Sequence, residues 1–206
     1  MSVSLRELLA HGDSPVRLQA AMTAGTNPAK EQIVVLVERC RIEEDFYVRD
    51  MLTWALVRHD TATVLDRLRP ELASSIPQAR SQALHTLSKI ADPSTRGWIT
   101  RDHLHDADDE VARAAWRAKA GLVLLAELMD DAHDGESGEL LGELLAELGR
   151  DGFEVKRSLS RAIIELGEMV VAPLERLRSH PDPEIGAHAA ATLQLYADPE
   201  SSFALR

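Results

Sequence analysis

Apolar residues recur along this chain in a pattern that repeats about every 31 residues. An apolar anchor stands at Val16, Val48, Ala79, Val111, Val155 and Ile185, giving steps of 32, 31, 32, 44 and 30 residues. In most copies it follows an Asp by three and precedes a basic residue by one. Three residues before it stand Asp13, Asp45, Ile76, Asp108, Gly152 and Asp182. Four of these are Asp, a residue suited to accept the free amides at a helix N-terminus. Four after the anchor come Ala20, Leu52, Ala83, Ala115, Leu159 and Ala189; eight after it come Ala24, Leu56, Leu87, Lys119, Ile163 and Leu193. That spacing defines one buried helical face, with Lys119 the misfit. The column seven after the anchor, Thr23, Ala55, Thr86, Ala118, Ala162 and Thr192, is small throughout, as close helix approach requires.

A second helical stretch precedes each of these helices: Ser4 to His11, Ala29 to Arg41, Thr63 to Ala73, Ser94 to Leu104, Gly138 to Leu148 and Met169 to Ser179. Turn residues such as Gly25-Thr26-Asn27-Pro28 and His180-Pro181-Asp182-Pro183 separate the pairs. The unit is a helical hairpin, and the expected fold is all-α, a single α-solenoid of about six hairpins. Their bounds are about 1–26, 27–60, 61–91, 92–129, 136–168 and 169–197. The 44-residue step predicts an exposed acidic loop over about 130–137. The residues from 198 to 206 are expected to cap the last core through Phe203 and Leu205.

The last repeat, GEMVVAPLERLRSHPDPEIGAHAAATLQL, resembles a HEAT repeat of the short bacterial type first noted in phycobilisome lyases. It has a proline inside the first helix, Pro173, an Asp-Pro turn and an alanine-rich second helix. The resemblance extends over nearly the whole chain and implies HEAT-like packing. It also reaches HEAT-like alkylpurine DNA glycosylases and bilin lyases, which keeps an enzymatic alternative open. Repeats three and five depart from the pattern, with Ile76-Pro77 and Gly152 where the cap should stand.

Composition narrows the chemistry. The one cysteine, Cys40, excludes an internal disulfide and a cysteine-based zinc site. The net charge of −11 disfavours nucleic acid as a partner. Residues 1 to 100 carry 12 basic and 12 acidic side chains, whereas residues 102 to 154 carry 4 and 15, so the excess sits in one window. No glycine-rich phosphate loop, nucleophile elbow, HExxH or paired CxxC is present. His103 and His105 lie in an Asp-rich stretch, but a helical hairpin points them to different sides, and they are read as part of a polar loop. Asp130 to Glu139 lacks the ligands of a calcium loop at Ala132 and Leu141. No metal, cofactor or catalytic residue is assigned, and no apolar run is long enough to span a membrane. The chain opens without a basic and apolar leader, so a cytoplasmic location is expected; the array is expected to be a monomer.

Function then falls to a surface. Positions two and six after each anchor lie opposite the buried face, on what becomes the concave side of a solenoid. There stand Asp50, Trp54 and His85, followed by Arg113, Arg117, Arg157 and Arg161. The four arginines run against the acidic trend of their repeats. Either they pair with neighbouring carboxylates, or they hold an anionic group of a partner while Trp54 and His85 contact an adjoining apolar part. The expected function is a non-enzymatic adaptor for a protein segment or other anionic ligand. The alternatives are a HEAT-like glycosylase or lyase, with Asp50 and Trp54 at the damaged base, and capture of an apolar small molecule near Met22, Met51 and Trp54.

Overall fold

The computed structural model describes residues 3–129, 135–200 and 203. Among these residues the chain is all-helical, with no strand. It divides into two compact units, Met1–Ala91 and Asp92–Arg206, and the division falls where the third sequence repeat meets the fourth.

The first unit holds three hairpins: α1 (Leu5–Leu9) with α2 (Ser14–Thr26), α3 (Gln32–Cys40) with α4 (Phe46–Val57), and α5 (Thr61–Leu68) with α6 (Pro77–Ile90). Within it α2 packs on α4 and α4 on α6, while α3 lies against both α1 and α5. The stretch from Thr63 to Ala73, expected as one helix, changes to a 3-10 turn at Arg69–Ala73, because Pro70 has no N–H to continue the α-helical ladder. Asp45 caps α4 through the amides of Tyr47 and Val48. Asp13 takes the cap position of α2 without a side-chain bond; its own amide donates to His11 Nδ1 at 3.0 Å.

The second unit repeats the plan. A 3-10 turn at Pro93–Trp98 and α7 (Arg101–Leu104) precede α8 (Asp109–Leu128). α9 (Glu136–Leu145) precedes α10 (Phe153–Ile164), and α11 (Val171–Leu177) precedes α12 (Pro183–Ala197). Here α8 packs on α10 and α10 on α12. The segment from Ser94 to Leu104 is broken rather than continuous, because Ile99 is extended and Thr100 opens a new capping box with His103. Glu136 and Ser137, expected in the acidic loop, belong instead to α9; the loop residues from 130 to 134 lie outside the described residues.

The packing columns behave as their side chains require. All six residues four after the anchor are buried. Of the small column, five are buried and Thr23 is exposed. Phe203 is buried against Ala191 and Leu195 and stacks near Phe153 and His188, so it covers this end of the core; Leu205 is outside the described residues.

The basic residue after the anchor has a job that its column alone does not reveal. In the first three repeats its guanidinium reaches back to main-chain carbonyls of the turn six residues before it. Arg17 donates to His11 O and Gly12 O at 2.9 and 2.8 Å. Arg49 donates to Glu43 O and Glu44 O at 3.0 and 2.7 Å, and Arg80 to Ser74 O at 2.8 Å. Each arginine thus satisfies acceptors that the turn leaves without helical partners. The fourth repeat has Ala112 in the column. There the equivalent carbonyl, Asp106 O, receives its bond from Arg150 Nη2 at 2.7 Å, a side chain from the following hairpin.

Candidate functional site

The residues singled out from the sequence separate by unit. Asp50, Trp54 and His85 belong to the first, on α4 and α6, and the four arginines to the second, on α8 and α10.

In the first unit Trp54 stands partly in solvent, 39% exposed. Its inner edge lies over Gly25 of α2 so closely that a Cβ there would come within 2.3 Å of the ring. Arg58 covers the ring at 5.0 Å and donates from Nε to Gly25 O at 2.8 Å. The indole is therefore clamped between a glycine seat and a cation. Asp50 is exposed, one turn before it; His85 is half-buried, and its carbonyl accepts from Ser88 Oγ. Met22 is exposed and Met51 half-buried. A cavity of about 490 Å³ opens elsewhere in this unit, beside α1 and α2, lined among others by Leu5, Leu8, Val16 and Ala20 and by none of Met22, Met51 and Trp54.

In the second unit the four arginines divide into two kinds. Arg113 pairs with Glu110 at 2.7 Å and Arg157 with Glu154 at 3.1 Å, each one turn back on its own helix. Arg117 and Arg161, six residues after the anchors of α8 and α10, are exposed and make no ion pair among the described residues. The carboxyl of Glu165, just past the end of α10, is raised by desolvation despite the opposing charge of Arg117. Of the four arginines, Arg113 and Arg157 thus sit in local pairs, and Arg117 and Arg161 are exposed.

Other candidate chemistry resolves into structure. His103 Nδ1 accepts the amide of Thr100 at 3.1 Å. His105 instead lies between Glu143 and Glu147, each 2.5 Å from a ring nitrogen. Among the described residues no group of three or more metal-binding side chains is assembled. Cys40 is buried, and desolvation pushes its thiol up to about 12, so it is inert as a nucleophile. Trp116 is fully buried with Nε1 donating to Leu104 O at 2.8 Å.

One cluster was not foreseen. Ser160, His188 and Thr192 form a buried chain, with Ser160 Oγ 3.1 Å from His188 Nε2 and 2.7 Å from Thr192 Oγ1. A serine beside a histidine suggests nucleophilic catalysis, but the hydrogen bonding opposes it. His188 Nδ1 accepts from the amide of Gly149, so the ring proton sits on Nε2, 3.0 Å from the carbonyl of Lys156. The nitrogen facing Ser160 is protonated and cannot take its proton. Burial holds His188 down at about 4, so it is neutral at pH 7. The cluster joins α10 to α12; of its three residues only Thr192 stood out in the sequence, as a member of the small column, because the convergence spans two helices.

No protein-family model matches the chain, and no curated protein matches it. A crystal structure described as that of an engineered protein superposes with a TM-score of 0.48 at 20% identity, covering 94% of this chain and 95% of its own. A likeness of that size carries no argument.

Proposed function

We propose that each unit is a short HEAT-like solenoid of three hairpins and that the chain is a binding module with no chemistry of its own, whose anion-binding surface lies on α8 and α10. One observation carries this reading. On two helices that pack together, equivalent repeat positions hold Arg117 and Arg161, exposed and without ion pairs among the described residues, while the neighbouring arginines are neutralised by their own glutamates. A guanidinium with free donors, beside partners that are already satisfied, is where an incoming carboxylate gains most. In a chain of net charge −11 such positions are selective. The surrounding carboxylates repel a polyanion that lacks the matching spacing and disfavour the duplex backbone that a glycosylase must hold. The occupant is an acidic segment of a partner protein.

Titration with a poly-glutamate peptide at low salt, followed by amide chemical shifts, tests the assignment. Shifts are expected on α8 and α10, and they should vanish in the double variant Arg117→Glu with Arg161→Glu. Undiminished binding by that variant, still folded, sinks the proposal. Tighter binding of a DNA duplex than of the peptide moves the reading to the glycosylase-like alternative.

A further inference from the structure

His105 stands at the end of α7 with both ring nitrogens engaged. Nε2 lies 2.5 Å from Glu143 and Nδ1 2.5 Å from Glu147. An ionised carboxylate only accepts, so the ring must donate twice, which only the imidazolium does. The remaining charges around the ring fit that form. Glu143 also meets Arg101 Nε at 2.9 Å, from α7 itself. Glu147 meets Arg150 Nη1 at 2.9 Å, and Arg150 continues to Asp109 at the start of α8 at 2.8 Å. With His105 charged, three cations face three anions, Arg101, His105 and Arg150 against Glu143, Glu147 and Asp109. The carboxylates of Asp106 and Asp108, in the same turn, accept the amides of Asp108, Glu110 and Val111.

The same arrangement defines how α9 is held. Its glutamates at 136 and 143, with Glu147 just beyond its end, recur at steps of seven and four and so lie along one face. Glu136 pairs with Lys119 at 3.2 Å and Arg96 at 3.3 Å. At its first turn α9 is thus fixed by two permanent cations. At its last turn one of the fixing cations is a histidine, which loses its charge in the accessible pH range.

We propose that His105 is a pH-dependent latch for the C-terminal end of α9: as the imidazolium it ties Glu143 and Glu147 to the turn before α8, and on deprotonation it releases them. In the neutral ring one nitrogen lone pair faces a carboxylate oxygen at 2.5 Å, a repulsive contact relieved when that carboxylate withdraws, which removes its tie on that end of α9. Burial works against the charged ring, but the hydrogen bonds it donates to both glutamates outweigh it and raise His105 above its ordinary value of 6.5. The sign follows from linkage. The latch contributes its full stabilisation below 6.5 and loses it as pH rises through the raised value. The device does not depend on the anion-binding reading, since it uses none of Arg113, Arg117, Arg157 and Arg161.

Hydrogen exchange of the intact chain reads the latch directly, with α11 as the internal reference. Between about pH 6 and about pH 9, after correction for intrinsic exchange, protection of α9 from Gly142 to Leu145 is expected to fall about tenfold while that of α11 holds. In His105→Gln the protection of α9 should be low throughout. A flat profile in the unaltered protein, or an unchanged fall in His105→Gln, overturns the proposal. A second measurement needs no variant to fold: the imidazole proton of His105, followed by NMR, should titrate with a midpoint above 6.5. A midpoint at or below that value overturns the latch. So does an unmoved midpoint in Glu143→Gln, where loss of one carboxylate must lower it.

Discussion

Each unit ties its hairpins together with a knot of charge at a turn, and the two knots are built to different rules. In the first unit Glu43, with no exposed surface, accepts Arg17 Nε and Nη2 at 2.9 and 2.8 Å, Arg39 Nε at 2.7 Å and the amide of Asp45 at 2.9 Å. Burial pushes its carboxyl up, but the two guanidinium hydrogen bonds outweigh this and hold it down at about 2. In the second unit the central cation is His105, and the partners Glu143, Asp109 and Arg101 all reach solvent. A sealed knot of Arg and Glu has no member that changes charge between about pH 5 and 9. A wetter knot centred on His does. Permanence comes with burial, and responsiveness with a titratable group left near water.

The sharpest way to break this contrast is to remove the central acid from each knot. Glu43→Ala leaves Arg17 buried without its partner and is expected to cost the first unit about 3–5 kcal/mol. Glu147→Ala leaves cations that water still reaches and should cost about 1 kcal/mol. Denaturant titrations of the two variants, read by hydrogen exchange in α4 and α10, give the comparison; equal losses would mean that burial does not distinguish the knots.

Acid provides the next largest effect. The contribution of Glu43 is present above 4.5 and is lost only as pH falls through about 2, so the first unit should hold its stability through mild acid. His188 has the opposite consequence for the second unit. Its neutral ring contributes fully above 6.5 and loses that contribution as pH falls through about 4, a change of about 3 kcal/mol when complete. Protection of α12 should therefore decline between pH 7 and about 4.5 while that of α4 persists. A parallel decline in both helices would erase the difference.

The smallest effect tests the borrowed arginine. Arg150 serves Asp106 O, Glu147 and Asp109 together and lies 5.7 Å over the Trp116 ring. Lysine offers no planar fork to span these acceptors, so Arg150→Lys should lower the stability of the second unit by about 1 kcal/mol. A thermal shift near zero would show that one acceptor suffices.

The helices and their buried columns could be read from the sequence because they depend on contacts between residues three and four apart, which any stretch of chain displays. The charge knots could not. Glu143 and Glu147 meet a histidine about 40 residues away, across the step that lengthens the repeat, so His105 read only as part of a polar loop. The arginine following the anchor was visible as a column, yet its acceptors are carbonyls, which leave no mark in a sequence. On the arginine surface, spacing alone left local pairing and an open guanidinium as alternatives. It could not show that Arg117 and Arg161 stay open, since that depends on what the next hairpin brings near.

The arginine that bonds back to the turn has a consequence for how such repeats age. A carbonyl oxygen is the same acceptor whatever side chain stands on its residue, so His11-Gly12, Glu43-Glu44 and the turn at Ser74 serve one donor equally well. The turns are thereby released to drift, copy by copy, without loosening the corner. Even the donor can come from elsewhere: where Ala112 stands in the column, a guanidinium from the neighbouring hairpin bonds the equivalent oxygen. Hairpins joined in this way can differ in nearly all their letters and still share a corner held by the same bond.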